Sequence, residues 1–206
     1  VCAQVNPALA GEREAMLEMG RRFHRWAPNI AVKLPATAAG LDVLEQLIAE
    51  GVTVTSTVSF TVPQVLAAAQ RHREGARRAQ ANGVTPGRCF AVIMIGRIDD
   101  YLREIAHDTS AQVTEEDIRQ AGVAITKRAY ALFRQQGFQA RLLVAALRGA
   151  YHMTELAGAE LVMSIHPKSL PPFLSAELPG EPRLARAVPA AAIERLGRMP
   201  EFRKAY

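Results

Sequence analysis

The sequence predicts an α/β protein built on a parallel sheet, and three observations carry that prediction. Short apolar runs alternate with helical stretches through six βα units along the 206 residues. The runs, such as "IAVKLP" and "CFAVIMIGR", are nearly continuous in hydrophobicity, as strands are when both faces of a sheet are covered. Hydrophobic residues make up 49% of the chain and charged residues 22%, ample for a packed core. A (β/α)8 barrel and an open doubly wound sheet both satisfy this order. No G-x-G-x-x-G follows a strand and no Walker A motif occurs, which weakens the nucleotide-binding form of the open sheet.

Each element has its own local reason. Residues 1–5, "VCAQV", read as a strand, and Asn6 with Pro7 reads as an N-cap and first helical position. The helix that follows carries Met16, Met19, Phe23 and Trp26. Residues 30–35 are the next strand. Thr37 caps a helix whose inner stripe is Leu41, Leu44, Leu47 and Ile48, and Gly51 ends it. The β-branched run 52–60 predicts a strand. Thr61 and Pro63 open a helix that runs into the arginines of "RHREGARR", and "NGVTPG" is a turn. Residues 89–97 predict a buried strand, followed by a polar loop. Thr114 and Asp117 form a capping-box-like start for a helix carrying Ile118, Ile125, Leu132 and Phe133, which stops at Gly137. Residues 140–147 and 161–166 are two more strands, with a short helix around 153–156 between them. Residues 167–182 read as a proline-rich loop, residues 189–196 as a last helix, and "RMPEFRKAY" as a tail.

The charge balance is basic, +5 net with a pI of about 9.6. An anionic small substrate and nucleic acid both fit that balance. The densest basic run, Arg71, Arg73, Arg77 and Arg78, has no interleaved aromatics and no zinc-finger, RRM or basic-zipper motif beside it, so nucleic acid ranks low. The two cysteines, Cys2 and Cys89, each lie in an apolar run, which argues against a disulfide scaffold and for a reducing, cytoplasmic compartment. No apolar run reaches the roughly 20 residues of a membrane helix, and no signal-peptide pattern opens the chain.

In a parallel α/β protein the chemistry sits at the C-terminal ends of the strands. Those ends supply Gln4 and Asn6, Lys33, Thr55 and Thr57, Arg97 with Asp99 and Asp100, Arg148, and His166. Lys33 stands out. An ammonium inside "IAVKLP" costs several kcal/mol unless it is paired or neutral. A desolvated lysine loses its proton more readily and becomes a nucleophilic amine that forms an imine with a ketone or aldehyde. The protonated imine draws electrons from the adjacent C–C bond, and nearby arginines would hold a phosphate. The plainer alternatives are a lysine that snorkels or pairs with a carboxylate, structural ion pairs for Arg97 and Arg148, a loop position for His166, and ordinary strand positions for Thr55 and Thr57. No pair of histidines has metal-ligand spacing, and imine chemistry needs neither metal nor cofactor.

The stretch "NIAVKLPATAAGLDVLEQLIAEGVTVTSTVSFTVPQVLAA" resembles the core region of the transaldolases and fructose-6-phosphate aldolases. Lys33, Pro35, Thr37, Gly40, Leu41, Gly51, Thr57, Phe60 and Gln64 occur in the family's order. "MIGRIDDYL" is similar to its Val-Gly-Arg-Ile-x-Asp, and residues 143–168 are similar to its Ala-Ser-Phe-Arg strand, Leu-Ala-Gly turn and Thr-Ile-x-Pro strand. The resemblance implies a (β/α)8 TIM barrel of the transaldolase type, a single domain over residues 1–206. It implies a class I aldolase or transaldolase acting on phosphorylated ketoses through a Schiff base at Lys33. Thr57 and Gln4 would handle the catalytic water, and Arg97 and Arg148 would bind phosphate, with Thr55 and His166 beside them. Gln4 stands where transaldolases have glutamate and the aldolase branch has glutamine.

The departures are specific. Thr55 replaces an asparagine, Met94 an aromatic residue, and Ala146 a phosphate-contacting serine, while "SIHPK" carries one extra residue that introduces His166. The resemblance also implies that the barrel's first two strands, with an aspartate that shuttles protons, are missing, as in an N-terminally truncated chain. Two rivals share these residues: a class I aldolase with a different carbonyl substrate, and a sugar-phosphate binder without catalysis. A weaker third is an RNA binder using the Arg71–Arg78 helix. "PEFRKAY" resembles the region that packs on a neighbour in some family members, which implies a homo-oligomer.

Overall fold

The computed structural model describes residues 1–175, 178 and 180–206. The chain forms two compact units. The first comprises Val1–Ser59, Pro63–Val92 and Phe133–Leu142, and the second Phe60–Val62, Ile93–Leu132 and Leu143–Tyr206. Among the described residues there are six strands, as many as the βα count predicts, and the pairs within each unit are parallel. The fold class is α/β, with strands and helices alternating along the chain.

In the first unit, β1 (Cys2–Gln4), β2 (Ala31–Pro35), β3 (Val54–Thr57) and β4 (Cys89–Ile93) pair in chain order. Helices α1 (Arg13–His24), α2 (Ala38–Ala49) and α3 (Val62–Ala81) connect them. Strand alternation decides which residues face the helices. Val32 and Leu34 are fully buried, as are Leu44, Leu47 and Ile48 of α2. Each such aliphatic side chain contributes about 1.5–3 kcal/mol. Gly20 of α1 lets the helix approach closely, because a Cβ there would lie 2.7 Å from Leu47 Cδ1 and 3.4 Å from Val32 Cγ1. Lys33 and Pro35 project from the opposite face of β2. Thr37 caps α2 as expected, its Oγ1 accepting from Gly40 N–H at 3.0 Å. The arginine run clamps helices together: Arg71 reaches Asp42 and Glu45 at 2.9 and 2.8 Å, and Arg78 reaches Glu45 at 3.1 Å. Arg77 pairs with Glu74, and Arg73 donates to Gln136 O while lying over the Phe138 ring.

The second unit holds α4 (Ile95–Thr109), α5 (Glu115–Gln135), most of β5 (Arg141–Ala145), α6 (Ala150–Glu155) and β6 (Val162–Ser164). The short helices α7 (Leu170–Leu174), α8 (Ala190–Leu196) and α9 (Pro200–Ala205) follow. The capping box at the start of α5 is made as read: Thr114 N–H donates to Asp117 Oδ2 at 2.9 Å and Asp117 N–H to Thr114 Oγ1 at 3.2 Å. Arg195 of α8 grips the same carboxylate through two bonds of 2.7 and 2.6 Å.

Several expectations need correction. The polar loop after β4 is helix α4, which begins where the strand was expected to continue. Its charged sequence hides a buried stripe of Ile95, Ile98 and Leu102. Arg97 is therefore in the first turn of a helix, not at a strand end. The run 52–60 is strand only over Val54–Thr57, because Val58 turns to φ +55°. Pro7–Leu9 is a separate 3-10 turn capped by Asn6, and α1 starts later, at Arg13. The proline-rich loop contains a 3-10 turn, Pro167–Ser169, and α7; residues 176, 177 and 179 of it lie outside the described residues. The tail is helix α9.

Candidate active site

In the first unit, the parallel register lines up three of the expected residues. Gln4 of β1 is opposite Lys33 of β2, and Lys33 is opposite Thr55 of β3. In-register residues of parallel strands project from one face, so an amide, an amine and a hydroxyl form a row across the sheet. Thr57, two residues beyond Thr55, shares that face and stands opposite Pro35. Cys2 Sγ lies 3.5 Å from Thr55 Oγ1, so the side chains of β1 and β3 converge on this face above β2. Thr55 and Thr57 are buried, Lys33 is half-buried and Gln4 is exposed.

The surroundings of Lys33 differ from those of Lys127, the other partly buried lysine. Lys127 Nζ donates to Glu155 Oε2 at 3.1 Å, to Arg183 O at 3.1 Å and to Arg186 O at 2.8 Å. That is how a structural lysine satisfies three N–H donors. Among the described residues, Lys33 Nζ has no hydrogen-bond or ion-pair partner. The pairing alternative for Lys33 therefore finds no carboxylate, and the amine stays open to an incoming carbonyl.

In the second unit, the expected phosphate residues separate. Arg97 is exposed, its guanidinium unpaired among the described residues, and it lines a cavity of about 620 Å³ with Phe60, Tyr101 and Lys204. Arg148, just past β5, lines a different cavity of about 550 Å³ with Ala146, Ser164, His166 and Ser169. Its guanidinium is engaged: Nε donates to Asp100 Oδ2 at 2.9 Å, Nη2 to the same oxygen at 2.5 Å, and Nη1 to Ala146 O at 2.8 Å. These bonds from Arg148 hold the Asp100 carboxyl below the usual carboxylate range. The structural ion-pair alternative thus describes Arg148 and not Arg97. His166 is exposed and caps the 3-10 turn after β6, its Nδ1 accepting from Lys168 N–H at 3.2 Å. Its Nε2 makes no bond among the described residues, and the residue lines the Arg148 cavity.

Sequence reasoning missed His152 and Tyr151. The short helix was expected from 153, yet α6 begins at Ala150 and buries His152 completely against Asp99. The only signal was a histidine four residues after Arg148.

The family described as Transaldolase/Fructose-6-phosphate aldolase matches residues 1–199. The chain belongs to this family. Among curated transaldolase relatives, the "Probable transaldolase" of Thermus thermophilus is 32% identical over 75% of this chain and 56% of its own length. That of Rhodospirillum centenum is 30% identical over 84% of this chain and 60% of its own length. That of Dehalococcoides mccartyi is 29% identical over 69% of this chain and 51% of its own length. The chain thus spans about half to three-fifths of the length of these three relatives.

Proposed function

We propose that the chain is the Schiff-base part of a transaldolase-type enzyme that makes or breaks a C–C bond of phosphorylated ketoses. The observation that carries this is the unpartnered Lys33 amine in register with Gln4 and Thr55. The amine attacks the ketose carbonyl, a C–N bond forms, and loss of water leaves a protonated imine. The hydroxyl on the departing carbon gives its proton to the ordered water, its O–H electrons form the aldehyde C=O, and the imine takes up the electron pair of the broken C–C bond as an enamine. The three-carbon unit left on nitrogen then adds to an acceptor aldehyde or is protonated and released by water. Gln4 and Thr57 orient the water that enters and leaves, and Thr55 meets the sugar. Arg148 and His166, which share one cavity, bind the phosphate, Arg148 through the N–H groups that Asp100 and Ala146 O leave open, while Arg97 offers a free fork on a separate cavity to a second anionic group. The free thiols Cys2 and Cys89 fit a cytoplasmic setting, and the resemblance of α9 to a neighbour-packing region fits a homo-oligomer.

The test is chemical trapping. The protein is incubated with fructose 6-phosphate or dihydroxyacetone, reduced with borohydride, digested and weighed. A ketose adduct on Lys33 is the expected result. A folded sample that binds fructose 6-phosphate but yields no adduct would sink the imine and establish the sugar-phosphate binder in its place.

A further inference from the structure

The fully buried Asp99 and His152 are bonded to each other, Oδ2 to Nε2 at 2.9 Å. Two more donors satisfy the carboxylate: Tyr151 OH reaches Oδ2 at 3.2 Å and Gly122 N–H reaches Oδ1 at 2.8 Å. On the other edge of the ring, His152 Nδ1 accepts the backbone N–H of Arg148 at 3.2 Å. A ring nitrogen that accepts an N–H carries no proton of its own. Nδ1 is therefore bare, and Nε2 carries the hydrogen that Asp99 accepts. The imidazole is a neutral bridge from the Asp99 carboxylate to the Arg148 backbone.

The neighbouring residue on α4 completes the arrangement. Asp100 holds the Arg148 guanidinium while Asp99, through His152, holds the Arg148 backbone. Gly96 in the first turn of α4 sits so close that a Cβ there would overlap the Ala146 carbonyl and lie 2.6 Å from Arg148 Cγ. Helix α4 thus fixes the 146–148 turn at three points. Burying a carboxylate and an imidazole is an expensive way to fill a core, and well-packed apolar side chains would serve stability as well. What the pair adds is direction.

We propose that His152 is a positioning residue: bridged to Asp99, it fixes the Arg148 backbone and aims the guanidinium at the phosphate of the substrate. This rests on the phosphate role given to Arg148 above. Two variants separate the two edges of the ring. In His152→Asn the amide oxygen lies near the place of Nδ1 and keeps an acceptor for Arg148 N–H, while the Asp99 bond is lost. In His152→Gln the amide nitrogen lies near the place of Nε2 and keeps the Asp99 bond, while the Arg148 acceptor is lost. The readout is the ratio of affinities for fructose 6-phosphate and unphosphorylated fructose, measured by titration calorimetry on the full chain. His152→Gln lowers that ratio about tenfold, the size expected of one lost hydrogen bond at a buried group, and His152→Asn restores most of it. A wild type that shows no preference for the phosphorylated sugar overturns the phosphate role of Arg148 and this proposal with it. A wild type with the preference, but variants that both keep it or both lose it, overturns the positioning role alone. If a variant fails to fold, nitrogen NMR of wild-type His152 decides. A proton on Nε2 alone supports the bridge, and a proton on Nδ1 overturns it.

Discussion

Lys33 and Lys127 make opposite predictions when each is replaced by methionine, which keeps the length of the stem and removes the amine. The Lys127 side chain is 11% exposed, and its removal leaves Glu155, 16% exposed, without its closest cation and two loop carbonyls without a donor. Breaking a buried pair on one side costs about 3–5 kcal/mol. Glu155 keeps a weaker contact to Arg183 at 3.7 Å, so the lower end, about 3 kcal/mol, is expected. For a domain of this size that is a fall of roughly 6–12 °C in Tm. Lys33→Met leaves nothing unpaired, because no described group bonds to the amine. Its stability should stay within about 0.5 kcal/mol of wild type or rise. Thermal melts followed by circular dichroism measure both, and borohydride trapping with fructose 6-phosphate is run in parallel below both melting points. The expected outcome is a double dissociation: Lys127→Met melts early yet is still trapped, while Lys33→Met melts normally and is not. A Lys33→Met variant that loses as much stability as Lys127→Met would refute the reasoning, since the amine would then have a structural partner.

Three further outcomes follow from the same geometry. The hydrogen bonds from Arg195 hold Asp117 at about 2, so its stabilising contribution is complete above the ordinary aspartate range and is lost as pH falls toward 2. Asp117→Asn should cost about 1–2 kcal/mol at pH 7, allowing for the partial exposure of Arg195, and the gap to wild type in urea melts should close toward pH 2. Burial pushes the Cys89 thiol up to about 12, whereas Cys2 is exposed. A thiol reagent at pH 8 should label Cys2 alone in the folded chain and both cysteines after denaturation; rapid labelling of both would contradict the burial of β4. Gly96→Ala, which drives a Cβ into the Ala146 carbonyl, should destabilise by about 1–3 kcal/mol in the same melts, and a neutral result would mean that α4 does not seat against the turn.

What could be read from the sequence was local. The flanks of Lys33, the Thr37 cap and the Thr114–Asp117 box depend on residues within four positions of one another, and each is made as expected. The βα alternation is a pattern of hydrophobicity, and the six strands follow it. Helix α4 was misread because "GRIDDYLREIAHDT" advertises its charged face, while its buried stripe is carried by three aliphatic residues. The polar clamps on Arg148 were illegible for another reason. Asp100 is 48 residues from Arg148, and Asp99 is 53 from His152, so no spacing in the sequence signals either pairing. The register that lines up Gln4, Lys33 and Thr55 is likewise tertiary, since the strands fix it and the motif only hints at it.

The turns that follow β3 and β5 show how these side chains are held. Val58, directly after Thr57, has φ +55°, and Ala146, two residues before Arg148, has φ +60°. Glycine or asparagine would take this left-handed backbone more cheaply, and such strain costs on the order of 1–3 kcal/mol per residue. It persists only where neighbours over-determine the turn. After Val58, the buried Ser59 hydroxyl donates to Val92 O at 2.6 Å, fastening the exit of β3 to β4. At Ala146, the carbonyl takes the Nη1 hydrogen of Arg148 at 2.8 Å, and Gly96 leaves room for it. Val58 is 54% exposed, so core packing does not offset its backbone cost. Of the three described non-glycine residues with left-handed backbone, Ser110 caps the end of α4, and the other two fall beside residues assigned to chemistry: Val58 beside Thr57 in one unit, Ala146 beside Arg148 in the other. Both turns are held by hydrogen bonds from side chains rather than by their own backbone preference. A turn held in that way keeps one geometry, and within each unit it fixes the direction of the side chains beside it, Thr57 in the first and Arg148 in the second.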